Sequence, residues 1–264
     1  MRPAEQIFGD LASEYRLHRP EYPQAIIDAI LKRIQGDRGT YIDIACGSGQ
    51  LSRKLACSFK STIATDKSVK QIEKAKLEQS TDIEYLVSDA TSVVPIRAGS
   101  VSLVTVAQAL HWFWDKRAEL WNEVDRLLMP GGVLAIASYG VIEFEDPSLQ
   151  CEFAKFYLGV LGSHLAPGSP GCAWQCDRRL VDSGYEGEIF PYQATEERVF
   201  VRHPLTISLG EFLAYIRTYS ALDSLKPQNP LADLEASLMR AGKLKSLADP
   251  INVFFPFRVV TFLK

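Results

Sequence analysis

The sequence lacks a long apolar run, a regular set of cysteines and a strong excess of charge of either sign. No apolar run approaches the roughly 18 residues of a membrane span, and charged residues interrupt the N-terminal stretch where a signal peptide needs an apolar core. The five cysteines are odd in number and irregularly spaced, so we expect no disulfide framework. We therefore expect a cytoplasmic protein without a membrane partner, although composition does not separate cytoplasm from nucleus.

Several function classes are also disfavoured. A net charge of −3 argues against a protein that mainly coats nucleic acid. The sequence has no P-loop with Gly-Lys-Ser/Thr and no Gly-x-Ser-x-Gly elbow. No C-x-x-C pair or dense cluster of ligands is present, so no metal site is expected from Cys172, Cys176, His164 and His203. What is left is an ordinary globular protein, which we expect to be a monomer or a weak dimer.

The residues between 24 and 138 alternate between short apolar strands and amphipathic helices. Apolar spacing predicts helices at 24–34, from 51 onwards, at 69–78 and at 117–128. Continuous apolar runs predict strands at 40–45, 61–65, 83–87, 101–107 and 133–138, with 129–132 as a turn. Strands that alternate with helices in this way are typical of a parallel sheet covered on both faces.

The alternation of strands and helices ends after Tyr139, and the apolar residues up to about 190 show neither helical nor strand periodicity. We interpret 141–195 as an inserted cap and 196–264 as C-terminal strands and helices. Ser208 with Glu211 matches a capping box, which predicts a helix at 209–222. We further predict a strand at 197–202, a helix at 231–248 and a final antiparallel strand at 252–263.

The strongest chemical signal is the segment 43–49, Asp-Ile-Ala-Cys-Gly-Ser-Gly, where the first strand turns into a helix. Glycines in such a turn let the backbone approach a ligand, and the helix that follows offers free N–H groups. The spacing is not the dinucleotide fingerprint, because Ser52 stands where the third glycine is required. A tight turn that binds nothing is the alternative.

Two acids close the next two strands. Asp66 ends the second strand, where an acidic side chain can accept hydrogen bonds from the hydroxyls of a ribose. Asp89 and Ala90 end the third, where a carboxylate can accept from an adenine amino group while an apolar neighbour packs on the ring. Each acid could instead be a helix cap or turn residue, and their shared location at strand ends favours the ligand-binding reading.

The order of glycine loop, acid, Asp-Ala and Met-Pro-Gly-Gly turn resembles the class I S-adenosylmethionine-dependent methyltransferases over residues 40–138. Segments 8–23, 108–113 and 213–220 are similar to the trans-aconitate methyltransferase-like small-molecule branch. The resemblance implies one α/β domain with a doubly wound, seven-stranded, mostly parallel Rossmann-like sheet. It would comprise an N-terminal arm at 1–23, a cofactor-binding core at 24–140, the cap and the C-terminal elements.

The resemblance also implies roles for individual residues around S-adenosylmethionine. Asp43 would lie by the methionine amino group, Asp66 on the ribose and Asp89 by the adenine. Gln108 would face the methionine end and the substrate, and the arm would close over the cofactor. The full set of expected cofactor-binding residues is Tyr15, Arg19, Asp43, Ala45, Gly47, Gly49, Asp66, Lys67, Asp89, Ala90 and Gln108. Ala45 departs from the family pattern, in which many members have glycine.

The aromatic run that follows Gln108 is the candidate acceptor pocket. Trp112 and Trp114 would form its wall, and Arg217 could clamp a carboxylate, although a surface ion pair is equally compatible. His111 could act as a general base, since a neutral imidazole suits proton removal near pH 7. Alternatively, His111 only hydrogen-bonds to fix the loop.

These observations predict an enzyme that transfers a methyl group from S-adenosylmethionine to a small molecule, with S-adenosylhomocysteine as product. By the resemblance, the reaction is O-methylation of a carboxylic acid, which is ionised at pH 7 and needs no base. A hydroxyl or amine acceptor with His111 as base, and a non-catalytic cofactor-binding module, remain open. A nicotinamide-dependent reductase is disfavoured because the third glycine is missing.

Overall fold

The computed structural model describes residues 20–78, 82–93, 96–162, 176–219, 222 and 229–264. The predicted arm at 1–23 therefore lies outside the described residues except for 20–23. The strands are β1 (Thr40–Ile44), β2 (Ser61–Asp66), β3 (Glu84–Val87), β4 (Val101–Ala107), β5 (Leu128–Tyr139), β6 (Glu143–Phe144), β7 (Glu197–Ser208) and β8 (Pro250–Leu263). The α-helices are α1 (Gln24–Arg33), α2 (Gln50–Ala56), α3 (Val69–Leu77), α4 (Arg117–Leu127), α5 (Pro147–Lys155), α6 (Arg178–Asp182), α7 (Leu209–Arg217) and α8 (Pro230–Gly242).

Within the described ranges, these strands form one sheet in the order β3-β2-β1-β4-β5-β8-β7. The first five strands pair in parallel, and β8 runs antiparallel to its neighbours. The two-residue β6 pairs with β8 on the same side as β5. The predicted doubly wound α/β sheet with an antiparallel final strand is confirmed, and β6 is an eighth strand that the sequence did not signal.

The parallel strands are apolar on both faces because helices cover both faces of the sheet. Consecutive residues of β1 show the alternation: Tyr41 belongs to one core cluster and Ile42 to another. The first cluster includes residues of α1, α2, α5, α7 and α8, and the second includes residues of α4. A smaller cluster joins α3 to β2 and β3. The sheet is thus the common wall between separately packed layers.

Some element ends differ from the predictions because of long-range pairing. Residues 129–132, predicted as a turn, belong to β5, where Gly131 donates to the carbonyl of Lys264 at 2.9 Å and Gly132 accepts from Lys264 at 3.0 Å. The strand predicted at 197–202 extends to Ser208 because β8 pairs with its whole length. The helices predicted at 209–222 and 231–248 end earlier, at Arg217 and Gly242.

The described part of the predicted cap shares a core with the C-terminal helices. Phe153 of α5 contacts Phe212 of α7 edge-on, with ring centroids 5.3 Å apart. Phe144 of β6 lies against the same ring at 4.8 Å. Among the described residues, no helix is both long and apolar enough to cross a membrane.

The start of α7 provides a test of local stability. Ser208 and Glu211 form a reciprocal capping box: Glu211 N donates to Ser208 Oγ at 3.2 Å, and Ser208 N donates to Glu211 Oε2 at 2.7 Å. We expect Ser208→Ala to lower the free energy of unfolding by about 1 kcal/mol in chemical denaturation. Ser237→Ala, inside α8, is the control and should change it by less than about 0.5 kcal/mol. Equal effects of the two substitutions would contradict the capping role.

Candidate functional site

A cavity of about 360 Å³ opens at the carboxyl ends of the parallel strands. Its volume is within the range of small-molecule sites, and its location beside the β1–β4 pair is where doubly wound sheets bind ligands. The predicted site residues that line it are Asp43, Ala45, Gly47, Asp66, Lys67, Asp89, Ala90, Gln108 and Trp112. The predicted residues that are described but do not line it are Gly49, His111, Trp114 and Arg217. Tyr15 and Arg19 lie outside the described residues.

The loop between β1 and α2 forms one wall of the cavity. Its turn begins at Ala45, with a φ of 55°, and Cys46 N donates to the carbonyl of Thr65 at 2.8 Å. Gly47 has a φ of 55°, and a Cβ built on it would meet no atom within 4 Å. Because Gly47 also lines the cavity, we expect a side chain there to occupy volume that is available to a ligand.

Gly49 is constrained by the protein itself. A Cβ at Gly49 would lie 2.5 Å from the hydroxyl oxygen of Tyr85 and 3.0 Å from Nη1 of Arg53. The Arg53 guanidinium in turn donates to the carbonyl of Ser48 at 2.5 Å. The second glycine therefore allows side chains of β3 and α2 to pack behind the loop, while the first faces the ligand space.

Asp66 connects the loop to the start of α3. Its Oδ2 accepts from Gly47 N and its Oδ1 accepts from Ser68 N, both at 2.8 Å. Capping of α3 is the alternative role that we considered for Asp66. The N-cap of α3 is instead Ser68, whose hydroxyl accepts from Gln71 N at 3.4 Å. A carboxylate oxygen can accept more than one hydrogen bond, so Asp66 can hold the loop and still receive ribose hydroxyls.

Asp89 forms a turn at the end of β3. Its Oδ1 accepts from the backbone N–H of Thr91 at 3.0 Å and from the Thr91 hydroxyl at 2.8 Å. These bonds, with the charges of Lys67 and Lys116, lower the pKa of Asp89. The hydrogen bonds of Asp89 therefore match the turn alternative. Its lowered pKa also keeps the carboxylate ionised where it lines the cavity.

Asp43 lies at the floor of the cavity and is only 1% exposed. Its Oδ2 accepts from the Ser52 hydroxyl at 2.5 Å, and its Oδ1 accepts from the Thr105 hydroxyl at 2.6 Å. Burial raises the pKa of Asp43 to about 6, and the two hydroxyl hydrogen bonds oppose that rise. Ser52, which takes the place of the third glycine of the dinucleotide fingerprint, therefore connects α2 to β1 across the loop.

Gln108 follows β4 with a φ of 50°, and its side chain is tied to β5. Its Oε1 accepts from Tyr139 N at 3.0 Å, and its Nε2 donates to the Tyr139 carbonyl at 3.2 Å. Gln108 and Ala45 are therefore two non-glycine residues in the left-handed region at neighbouring strand ends, and both line the cavity. Such strain, of about 1 kcal/mol or more for each residue, is concentrated at functional sites.

Three predicted acceptor-pocket residues are placed elsewhere. His111 is 3% exposed, does not line the cavity and lies with its ring 5.0 Å from that of Trp112. Trp114 stacks on Tyr185 at 5.5 Å, which turns its ring into the packing of the second core cluster. Arg217 is exposed in the last turn of α7. The geometry therefore places neither His111 nor Arg217 at the wall of this cavity, and the two roles considered for His111 remain predictions.

The sequence reasoning missed two tyrosines of the cavity wall. Tyr22 and Tyr139 both line the cavity, with ring centroids 6.5 Å apart, and both pack on Phe257. Tyr139 could have been found from its place at the carboxyl end of a parallel strand. The available signal for Tyr22 was its position between two prolines at the start of α1.

Comparison with known proteins gives concordant matches. Residues 42–136 match the family model of a methyltransferase domain. A Dictyostelium discoideum protein assigned as a methyltransferase is 30% identical over 240 residues, which is 89% of this chain and 86% of that protein. A Saccharomyces cerevisiae protein assigned as an S-adenosylmethionine-dependent methyltransferase is 31% identical over 140 residues, which is 51% of this chain. The chain spans about half the length of this yeast relative, at 47%.

A solved structure from Anaeromyxobacter dehalogenans, assigned as a type II methyltransferase, is similar over nearly the whole fold. It superposes with a TM-score of 0.73 at 28% identity, and the match covers 93% of this chain and 97% of that one.

The two glycines of the loop should respond differently to a methyl group. Gly47→Ala should reduce the affinity for the expected product S-adenosylhomocysteine about tenfold or more in calorimetry, because its Cβ enters the ligand space. Gly49→Ala should lower the free energy of unfolding by roughly 1–2 kcal/mol more than Gly47→Ala does, because its Cβ also collides with Tyr85. Each variant is the control for the other. Equal losses of stability and of affinity in both variants would contradict the different roles assigned to the two glycines.

Proposed function

Because the chain belongs to the class I S-adenosylmethionine-dependent methyltransferases, we propose that this cavity brings the cofactor together with a small-molecule methyl acceptor. The cavity volume of about 360 Å³ is in the range of small-molecule sites. The trans-aconitate methyltransferase-like branch remains our hypothesis for the acceptor class.

The described residues fit the cofactor at both ends. Asp66 has acceptor capacity for the ribose hydroxyls, and Gly47 leaves open space where a side chain would block the ligand. Asp89 would face the adenine and Asp43 the ammonium group of the methionine end. When bound, S-adenosylmethionine supplies an electrophilic methyl group on its sulfonium. The residues of the chain then have to hold the acceptor in line and exclude water, and alignment alone can contribute on the order of 7–11 kcal/mol.

The acceptor is proposed to be a carboxylic acid, and the observation that carries this is the position of His111. Among the described residues that line the cavity there is no histidine, since His111 is buried behind the wall. A carboxylate is ionised at neutral pH and needs no general base, unlike a hydroxyl or an ammonium. Tyr22, Trp112 and Tyr139 carry the hydroxyl and indole groups that could orient such an acceptor.

Two experiments test the proposal in sequence. Thermal melts with S-adenosylmethionine, S-adenosylhomocysteine, NADH and NADPH at matched concentrations should show a shift of several degrees with the two adenosyl-sulfur compounds only. Methyl transfer is then measured with sets of small carboxylic acids and with the alcohols and amines of the same carbon skeleton. Base-labile methyl esters are expected. Methyl ethers or methylamines would contradict the carboxylic acid proposal, and cofactor binding without any transfer would favour the non-catalytic module.

His111→Gln separates the two roles considered for this residue. We expect the variant to keep the rate of methyl transfer within about threefold and to keep the pH profile, because His111 does not line the cavity. Removing a general base would instead cost on the order of 100-fold or more. Trp112→Ala is the comparison, since Trp112 lines the cavity, and it should raise the KM for the acceptor. A folded His111→Gln protein with normal cofactor binding and a rate below one-hundredth would restore the base assignment.

A further inference from the structure

The carboxylate of Asp43 is held by a chain of hydroxyl groups that crosses three elements. Thr105 on β4 donates to Asp43 Oδ1 at 2.6 Å, and Ser52 on α2 donates to Asp43 Oδ2 at 2.5 Å. Since the Thr105 hydroxyl hydrogen is directed to Asp43, Thr105 Oγ1 accepts from the hydroxyl of Tyr41, which lies at 2.9 Å. Both carboxylate oxygens are thus fixed, and Tyr41, Ser52 and Thr105 are all buried.

We propose that Thr105, supported by Tyr41, acts together with Ser52 as a positioning pair that keeps the Asp43 carboxylate charged and fixed in place at the floor of the cavity. The group that this anion receives is the ammonium of the cofactor's methionine end, so the inference rests on the proposed function. It concerns the residues behind Asp43, which themselves need not touch the ligand.

Hydroxyl groups are suitable hydrogen-bond partners for a buried carboxylate that has to bind a cation. A lysine or arginine at 2.6 Å would keep a buried carboxylate ionised but would also neutralise it. Hydroxyl donors stabilise the charged form through hydrogen bonds and leave its net charge available to a cationic ligand. Within the described part of the chain, the arrangement therefore gives the cavity an anion at a fixed position that is hydrogen-bonded by hydroxyl groups and not paired with a cationic side chain.

Burial and the neighbouring acid act on Asp43 in the opposite direction. Asp66 on β2 raises the pKa of Asp43 by repulsion, and burial raises it further. Tyr41 on the same strand lowers the pKa of Asp43 through a side-chain hydrogen bond. Cys46 in the loop and Tyr85 on β3 also lie within electrostatic reach of Asp43, and both have a raised pKa. Arg53 on α2 acts on Cys46 and Tyr85. Against burial and Asp66, the hydroxyl hydrogen bonds are the main influences that keep Asp43 ionised near neutral pH.

The test compares two buried threonines on β4 and β2, the two strands that flank β1. Thr105→Val removes one donor to Asp43 with little change in volume. Thr62→Val is the matched control, because Thr62 lies on β2 beside Tyr41, is 4% exposed and makes no hydrogen bond through its hydroxyl to any residue that the structure describes. S-adenosylhomocysteine binding is measured by calorimetry from pH 5 to pH 9 for the wild type and both variants.

For the wild type, the affinity should fall as the pH decreases through about 6, because protonation removes the charge of Asp43. Thr105→Val should move this midpoint upward by about one pH unit, which is the expected size for the loss of one hydrogen bond to a charged group. Thr62→Val should leave it in place, and Thr105→Ser, which keeps the hydroxyl, should restore it. Ser52→Ala tests the second oxygen independently if Thr105→Val does not fold.

A second ligand separates positioning from general damage to the loop. 5′-Methylthioadenosine has the nucleoside but no ammonium group, so its affinity should be insensitive to Thr105→Val and to pH near 6. An equal loss of both ligands, or a midpoint unchanged from that of Thr62→Val, would overturn the inference. If S-adenosylhomocysteine does not bind the wild type at all, the proposed function fails instead.

Discussion

The structure around the cavity depends on one buried carboxylate at the cavity floor. Asp43 belongs to the central strand of the parallel sheet, where 1% exposure deprives it of water. Its pKa of about 6, against an ordinary value of 3.8, means that the folded chain binds more protons than the unfolded chain between about pH 4 and pH 6. The free energy of unfolding therefore decreases as the pH rises through this window, by about 3 kcal/mol in total for this group. The protein is least helped by Asp43 at neutral pH, where a cationic ligand gains most from it.

The neighbouring elements are arranged around this constraint. The switch in strand order between β1 and β4 opens a crevice at their carboxyl ends, and Asp43 and Thr105 face each other across that pair in register. Ser52 reaches the same carboxylate from the far side of the glycine loop, so one side chain connects both ends of the loop. Asp66 adds a second connection, by accepting a hydrogen bond from Gly47 N. The loop conformation is thus held by acids that also bear on the ligand.

Much of this could be predicted from periodicity and position. The buried parallel strands, the acids at their ends and the turn at Gly47 are local patterns, and strand ends converge by topology alone. The orientation of side chains in the irregular turns after β4 is not periodic, so His111 and Trp114 could not be assigned to a face from sequence. The reason for Gly49 is a contact with Tyr85 on another strand.

The extension of β5 through 129–132 depends in the same way on a distant partner, since it pairs with the C-terminal Lys264. Such contacts are set by packing between distant segments. A pattern within one segment therefore identifies a glycine such as Gly49, but it does not identify the distant side chain that leaves no room for a Cβ there.

The side-chain amide of Gln108 makes the same pair of hydrogen bonds to Tyr139 that a peptide group of a neighbouring strand would make. The sheet thereby gains one more rung beyond its last backbone pair, made by a side chain at the mouth of the cavity. A rung of this kind fixes the separation of β4 and β5 before any ligand arrives. Ligand binding then requires less free energy for ordering this side of the cleft.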